Sequence, residues 1–310
     1  MLVASPAARN GAPARPGAFR PRDGAAAVAE VLQAGLTERD RWFTLGRESL
    51  PASLAGAGAA CRPRPLSAGR RSSKVLAETW GEVLQPMLLR GAPPVLGAAR
   101  VLRIWEDGCQ AANGVVAPAL ARSWYAHPAP VLLFGTELLT CAEAVRGLVP
   151  AARIGQFFPG HFPGPEALRA LPHVVASDIL RSLLSCDVVG FPTYRDLTAF
   201  GRLCSRLTGS RVQDDRVTWS GRTVRLGVFP MPSERLDDDP GAAPDRAPFP
   251  ESGQVIVWAG PADAAADPLD ALRAFVLLLE RNPPMLGRVR LLLSVGPGSA
   301  GGPDCRAALV

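Results

Sequence analysis

IGQFFPGHFPGPEALRALPHVVASDILRSLLSCDVVGFPTYRDLTAFGRLCSRLTG, residues 154–209, is the stretch on which the reading of the fold turns. Its first apolar run, 154–158, reads as a strand and meets a cluster of prolines and glycines at 159–164 that marks a turn. Ile179, Leu180, Leu183 and Leu184 then recur at the spacing of one buried helical face. Residues 188–191 form a second compact strand signal, and Leu197, Phe200, Leu203 and Leu207 mark a second amphipathic helix. Strand, loop, helix, strand, helix is the grammar of an α/β protein whose ligands sit at the carboxyl ends of parallel strands.

Composition sets the wider bounds. With 310 residues and 47% hydrophobic side chains the chain has room for one large domain or two ordinary ones, and global disorder is excluded. The formal net charge is +6, yet Lys74 is the one lysine and the arginines are scattered without interleaved aromatics. That pattern reads as coding bias and not as a nucleic-acid surface. Six cysteines show no CxxC spacing and no adjacent histidine, so neither a metal site nor a disulfide framework is supported. Cys141, Cys186 and Cys204 fall on apolar helical faces, where a thiol is a small core residue. The start of the chain is broken by prolines and lacks a signal-like apolar segment. No apolar run approaches the ~20 residues of a membrane helix. The expectation is a cytoplasmic protein with no membrane and no nucleic-acid partner.

Outward from the central stretch, Leu2 and Val3 suggest a weak first strand, and Trp42 reads as a core residue. Residues 51–75 read as a surface loop, 101–119 as helical and 130–133 as a buried parallel strand. The acidic, proline-rich segment 231–252 reads as a flexible linker. A strand at 255–258, a helix at 268–281 and a strand at 289–295 compose one further βαβ unit. The expected domains are 1–230, the linker 231–252 and 253–310.

The 154–209 stretch resembles the trehalose-6-phosphate synthase family of retaining glycosyltransferases. The register holds through Phe162-Pro163, Glu166, Leu171-Pro172, Ile179-Leu180, Asp187, Gly190-Phe191 and Thr193-Tyr194. Leu272, Ala274-Phe275, Asn282-Pro283 and Gly287 carry it toward the end of the chain. The resemblance implies a GT-B-like α/β architecture: one complete Rossmann-like, acceptor-side domain and the beginning of a second, donor-side one. It also implies glucosyl transfer from UDP-glucose to glucose 6-phosphate, a step of trehalose biosynthesis, with no metal and no cofactor beyond the donor substrate.

The positions at which the resemblance places ligands are mostly altered. Past Ser5 the family's sugar-phosphate arginine is missing, and Arg9 replaces it only with a longer loop. Gly24 keeps the first helix-opening glycine while Ala25 stands for the second. Leu76 and Gln85 occupy the two aromatic positions of the acceptor pocket. The acceptor-binding Asp falls on Gly135, within Phe134-Gly135-Thr136-Glu137, and Glu137 reads as an exposed loop residue. The sugar-contacting His falls on Pro159, so His161 enters the site only if the loop is rearranged. The Arg and Lys that clamp the donor diphosphate fall on Pro261 and Ala266, with Asp263 kept between them. Such cations neutralise charge on the departing nucleotide, usually the largest catalytic contribution.

No catalytic residue is therefore intact, while scaffold residues such as Asp187, Gly190, Phe191 and Phe275 remain. The first reading is a trehalose-6-phosphate synthase-like protein with impaired or absent catalysis, a pseudoenzyme. The second is a non-catalytic scaffold or regulatory partner, with another protein chain completing its second domain. A third is altered sugar-phosphate specificity through Arg9, His161 or Arg222.

Overall fold

The computed structural model of the chain describes residues 1–6, 35–45, 61–84, 87, 96–230, 253–261 and 268–296. Those up to 230 belong to one compact unit and those from 253 onward to another.

The first unit is a sheet flanked by helices. Its strands are β1 (Leu2–Pro6), β2 (Arg41–Leu45), β3 (Pro63–Leu66), β4 (Val131–Phe134), β5 (Ile154–Phe157), β6 (Val188–Phe191), β7 (Arg211–Gln213), β8 (Arg216–Trp219) and β9 (Arg222–Val228). They lie in the order β3-β2-β1-β4-β5-β6-β9-β8-β7, parallel from β3 to β9, with β8 and β7 antiparallel at the edge. Progression reverses between β1 and β4, the kind of switch point at which α/β sheets hold ligands.

The helices are α1 (Gly69–Thr79), which runs into a π-helical turn Trp80–Leu84, and α2 (Ala98–Ile104). A second π-helical turn, Trp105–Gln110, joins α2 to α3 (Ala111–Ala126). Then come α4 (Cys141–Leu148), α5 (Pro165–Arg169), α6 (His173–Leu184) and α7 (Tyr194–Thr208).

Strand alternation divides the apolar side chains between two faces. On β1, Leu2 and Ala4 join the large core, and Val3 joins a smaller cluster with Trp42 and Phe134. Ile179, Leu180, Leu183 and Leu184 of α6 are all buried in the large core beside Val189 and Phe191 of β6. Each such burial contributes about 1.5–3 kcal/mol. On α7, Phe200 and Leu203 are buried as their spacing predicts, but Leu207 is 38% exposed because the last turn emerges from the core. Thr193 caps α7 by accepting the Asp196 N–H at 3.3 Å, and Gly209, at φ +66°, closes it in the left-handed conformation.

One carboxylate ties the amino ends of the central strands. Asp187 Oδ2 accepts from Arg146 Nη2 at 2.8 Å and from the Ile154 N–H at 2.7 Å, and Oδ1 accepts from Arg222 Nη2 at 3.2 Å. Elements α4, β5, β6 and β9 are thereby fixed to each other.

One expectation is corrected and one is extended. Residues 51–75 are not one surface loop: β3 and the start of α1 lie within them. Pro63 and Pro65 disguise β3, yet proline is tolerated there because β3 is an edge strand with β2 as its neighbour. The helical region around 101–119 extends over 98–126, with a π-helical turn and Pro118 inside it. The β7–β8 and β8–β9 hairpins carry little hydrophobic pattern; Ser220 (φ +46°) and Gly221 (φ +77°) supply the two-residue turn between the last two strands.

The second unit comprises β10 (Gln254–Pro261), α8 (Pro268–Arg281) and β11 (Val289–Gly296), as the sequence pattern indicates. The strands pair in parallel from Gln254↔Val289 to Pro261↔Gly296. Ile256 and Val257 of β10 and Leu272, Val276 and Leu277 of α8 are exposed. Among the described residues no helix is long and apolar enough to cross a membrane.

Candidate functional site

The carboxyl ends of β1, β4, β5, β6 and β9 lie along one edge of the first unit, the candidate ligand edge by the general habit of open α/β sheets. At β1 the Ser5 hydroxyl accepts from Trp42 Nε1 at 2.9 Å, and Trp42 is 0% exposed, a core residue and not a stacking platform. Beyond β4 the chain turns at Gly135, whose φ of +105° is a conformation that side-chain-bearing residues rarely adopt. The strand ends are zipped by backbone bonds from Gly135 N–H to Phe157 O (3.2 Å), Phe158 N–H to Gly190 O (2.9 Å) and Phe229 N–H to Phe191 O (2.8 Å).

Aromatic rings line one face of this edge. Phe134 and Phe157 lie 5.0 Å apart, and Phe157 meets Phe229 edge-on at 6.4 Å. They rest on glycine: a Cβ at Gly190 would fall 2.8 Å from the Phe229 ring and 2.9 Å from that of Phe157. A Cβ at Gly227, paired with Gly190, would fall 2.6 Å from Phe229.

The turn after β5 is held from beneath. Asp196 is 2% exposed, and its Oδ1 accepts the Phe162 N–H at 2.9 Å while Oδ2 accepts from Thr193 Oγ1 at 2.5 Å. His161 Nδ1 lies 3.4 Å from Asp196 Oδ1, and its side chain is 65% exposed. Phe162 packs against Phe158 and Phe200 at 5.2 and 5.1 Å. His161 is thus docked at the amino end of α7, and Pro159 occupies the strand end itself. Asp196 carries no motif of its own; its position three residues after Thr193 is the one cue to its role.

The turn after β4 differs from the expectation of an exposed Glu137, which is half-buried. Its backbone carbonyl accepts from Asn113 Nδ2 at 2.8 Å, and its Oε2 accepts from Thr136 Oγ1 at 3.3 Å. Gln156 Nε2 reaches the neighbouring Leu138 carbonyl at 3.4 Å. Asn113 and Gln156 come from α3 and β5; nothing in their local sequence announces this convergence.

Arg9, Gly24, Gln85, Asp263 and Ala266 lie outside the described residues, as does the 231–252 segment. Pro261 ends β10 opposite Gly296. Leu76, half-buried on α1, packs against the large core. Arg222 faces Asp187 at the amino ends of the strands, away from the ligand edge, and Arg273 pairs with Asp270 on α8 at 3.1 Å. Burial pushes the Cys109 and Cys204 thiols up to about 12 and raises those of Cys141 and Cys186 as well, which makes all four poor nucleophiles. Among the described residues no three His, Cys, Asp or Glu side chains gather as metal ligands would.

Comparisons with known proteins fit this geometry. The family model of Glycosyltransferase family 20 matches residues 99–307, more than half of the chain. The bifunctional trehalose-6-phosphate synthase/phosphatase of Thermoproteus tenax is 31% identical over 186 residues, which are 57% of this chain and 25% of that protein. The UDP-forming α,α-trehalose-phosphate synthase of Schizosaccharomyces pombe is 32% identical over 150 residues, 45% of this chain and 28% of that one. Among solved structures, the α,α-trehalose-phosphate synthase of Burkholderia vietnamiensis aligns with a TM-score of 0.67 at 20% identity, over 96% of this chain and 64% of that one. The E. coli protein solved with UDP-2-fluoro glucose aligns at 0.66 and 22% identity, over 96% and 65%. The chain therefore spans just under two thirds of these structures, and its matched segments only about a quarter of the curated relatives. The structural likeness establishes the GT-B-like α/β fold, and the matched family model establishes kinship: the chain belongs to glycosyltransferase family 20, the family of the trehalose-6-phosphate synthases.

Proposed function

We propose that the chain is a trehalose-6-phosphate synthase-like protein in which glucosyl transfer from UDP-glucose to glucose 6-phosphate is impaired or absent. The observation that carries this reading is the pair of strand ends at β4 and β5. Where the resemblance places a sugar-binding Asp and His, Gly135 and Pro159 stand, and neither has a side chain that donates or accepts a hydrogen bond. In the second unit Pro261 and Ala266 hold the positions of the two cations on the donor diphosphate. Removing one preorganised electrostatic group of this kind typically costs about 10²–10³ in rate, and here several are changed together. The test is UDP release from UDP-glucose with glucose 6-phosphate as acceptor. The reading predicts no release above the protein-free rate; turnover at about 1 per second or faster, the lower end of ordinary enzymes, would overturn it.

A scaffold or regulatory role toward another protein chain is the second reading. Its support is the exposure of apolar side chains on β10 and α8, Ile256, Val257, Leu272, Val276 and Leu277 among them. The same fold also accompanies a different named activity: the N-terminal domain of a Candida albicans trehalose-6-phosphate phosphatase aligns at TM-score 0.67 and 18% identity, over 96% of this chain and 64% of that one. Copurification with a longer trehalose synthase chain, abolished by Val257→Asp, would support this role. Unchanged copurification of the variant would remove the surface from it.

A further inference from the structure

We propose that the outer face of α7 is a docking surface for an acidic helix of a partner protein, whose carboxylates pair with Arg195, Arg202 and Arg206. The surface is separate from β10 and α8, and its use does not depend on whether glucosyl transfer survives.

The three arginines stand at i, i+7 and i+11 of a helix that runs from Tyr194 to Thr208. In an α-helix these positions fall within about 40° of one line, spaced about 10 and 6 Å along the axis. Phe200, Leu203 and Cys204 of the same helix are buried in the large core, while all three arginines are exposed. None of the three has an ion pair or hydrogen bond among the described residues. Their own helix offers them none: its one acid, Asp196, is 2% exposed and engaged with Thr193 and the Phe162 N–H. Arg100, Arg146 and Arg181, on other helices, lie beside Glu82, Asp187 and Glu143.

This row does not serve the helix that carries it. Arg195 puts a cation in the first turn, where the helix dipole favours anions. Arg202 and Arg206 repel one another as like charges four residues apart. Arg206 alone, in the last turn, has a position that the dipole favours. Coding bias accounts for arginine where lysine could stand. It does not account for three on one line of a helix with no exposed acid among them.

Spacing selects the partner. Three arginines spread over about 16 Å do not converge on one small anion. An extended strand repeats on one face every ~6.7 Å and does not match the longer gap, whereas a second helix lying along α7 repeats i, i+7 and i+11 at the same intervals. Membrane-binding clusters are larger, about 4–8 cations, and nucleic-acid surfaces present a wider basic field. Leu207 and Val212, each more than a third exposed near the carboxyl end of α7, add apolar surface of the kind a protein partner covers, with Val212 lying over Gly201. The guanidinium groups suit carboxylates because paired N–H donors match the two oxygens.

Fluorescence anisotropy of a labelled helical peptide with glutamates at i, i+7 and i+11 tests this on the full chain, with its scrambled sequence as reference. Wild type is compared with Arg195→Gln/Arg202→Gln/Arg206→Gln and with Arg103→Gln/Arg122→Gln/Arg169→Gln. The second set removes the same charge from arginines that are also exposed and unpaired among the described residues, but that stand on three separate helices. Wild type should bind the peptide at least tenfold more tightly than the α7 variant does, and the control variant should stay within twofold of wild type. Binding should weaken as salt rises from about 0.05 to 0.5 M, where screening shortens from beyond 10 Å to a few Å. The α7 variant should melt at or above the wild-type temperature, since it loses only repulsion. If it melts lower, Arg202→Gln alone should still weaken binding threefold or more, and unchanged affinity would overturn the role. No binding by wild type, equal loss in both triple variants, or equal binding of the scrambled peptide would each overturn the proposal. Tighter binding of single-stranded DNA, or of phosphatidylserine-containing vesicles, through the same three arginines would overturn the acidic helix as the partner.

Discussion

Gly108→Ala gives the sharpest test of how the first unit is packed. Gly108 is buried in the π-helical turn Trp105–Gln110, where that turn crosses α1. A Cβ there would lie 2.7 Å from Thr79 Oγ1 and 2.9 Å from both the Leu76 backbone nitrogen and the Val75 carbonyl carbon, where ordinary contacts begin at 3.4 Å. Two of these three atoms are backbone, so no rotamer change relieves the overlap, and α1 has to move away. The Thr79 hydroxyl bond to the Ile104 carbonyl, 2.7 Å, would be stretched by that movement. Adding a methyl group to a filled site costs about 1–3 kcal/mol, and backbone on two sides places this case at about 2–3 kcal/mol. For a unit of this size each kcal/mol lowers the melting midpoint by about 2–4 °C, so a fall of about 4–12 °C is expected. Gly114→Ala is the matched control: it lies exposed on α3 with nothing within 4 Å of its Cβ, and should gain about 0.8–1 kcal/mol of helix propensity. Thermal unfolding followed by circular dichroism reads both. A Gly108→Ala midpoint equal to wild type would refute the close-approach argument.

Asp187→Ala should destabilise by about 1–3 kcal/mol, since the Ile154 N–H and two guanidinium groups lose their shared acceptor; an unchanged urea midpoint would show that the carboxylate holds nothing. Asp196→Ala should cost about 1–2 kcal/mol through the lost cap and raise hydrogen exchange at the Phe162 amide, with unchanged exchange there contradicting the pinned-loop description. The five described cysteines are buried and should resist iodoacetamide in the folded protein and react on unfolding. Cys109 and Cys204 also set a pH dependence: the unfolded chain releases these protons near the ordinary thiol value of 9.0, whereas the folded chain holds them to about 12. Their stabilising effect is therefore whole below about pH 9 and is lost as pH rises toward 12. A melting temperature that stays level between pH 9 and 11 would contradict it.

Legibility in the sequence followed the strength of local periodicity. The β5–α6–β6–α7 run is readable because Ile179, Leu180, Leu183 and Leu184 repeat on one buried face, and β10, α8 and β11 because their apolar runs keep strand and helix spacing although several of those side chains are exposed. Edge strand β3 was hidden by Pro63 and Pro65, which a central strand would not tolerate, and the β7–β8 hairpin by its short, polar strands. At the ligand edge, Gly135 and Pro159 could be placed by register alone. The burial of Glu137 could not, because it depends on Asn113 and Gln156, 24 and 19 positions away in sequence, meeting one turn in space. Asp196 was missed likewise: its capping partner is local, but the loop it pins begins some 35 residues earlier.

We propose that this family 20 scaffold does not hold the sugar-nucleotide donor. Calorimetric titration of the full chain with UDP-glucose and with UDP tests this most directly, on protein shown to melt cooperatively. No binding heat is expected from either nucleotide. A micromolar Kd for either would contradict it and would mean that other groups stand in for the cations absent at Pro261 and Ala266.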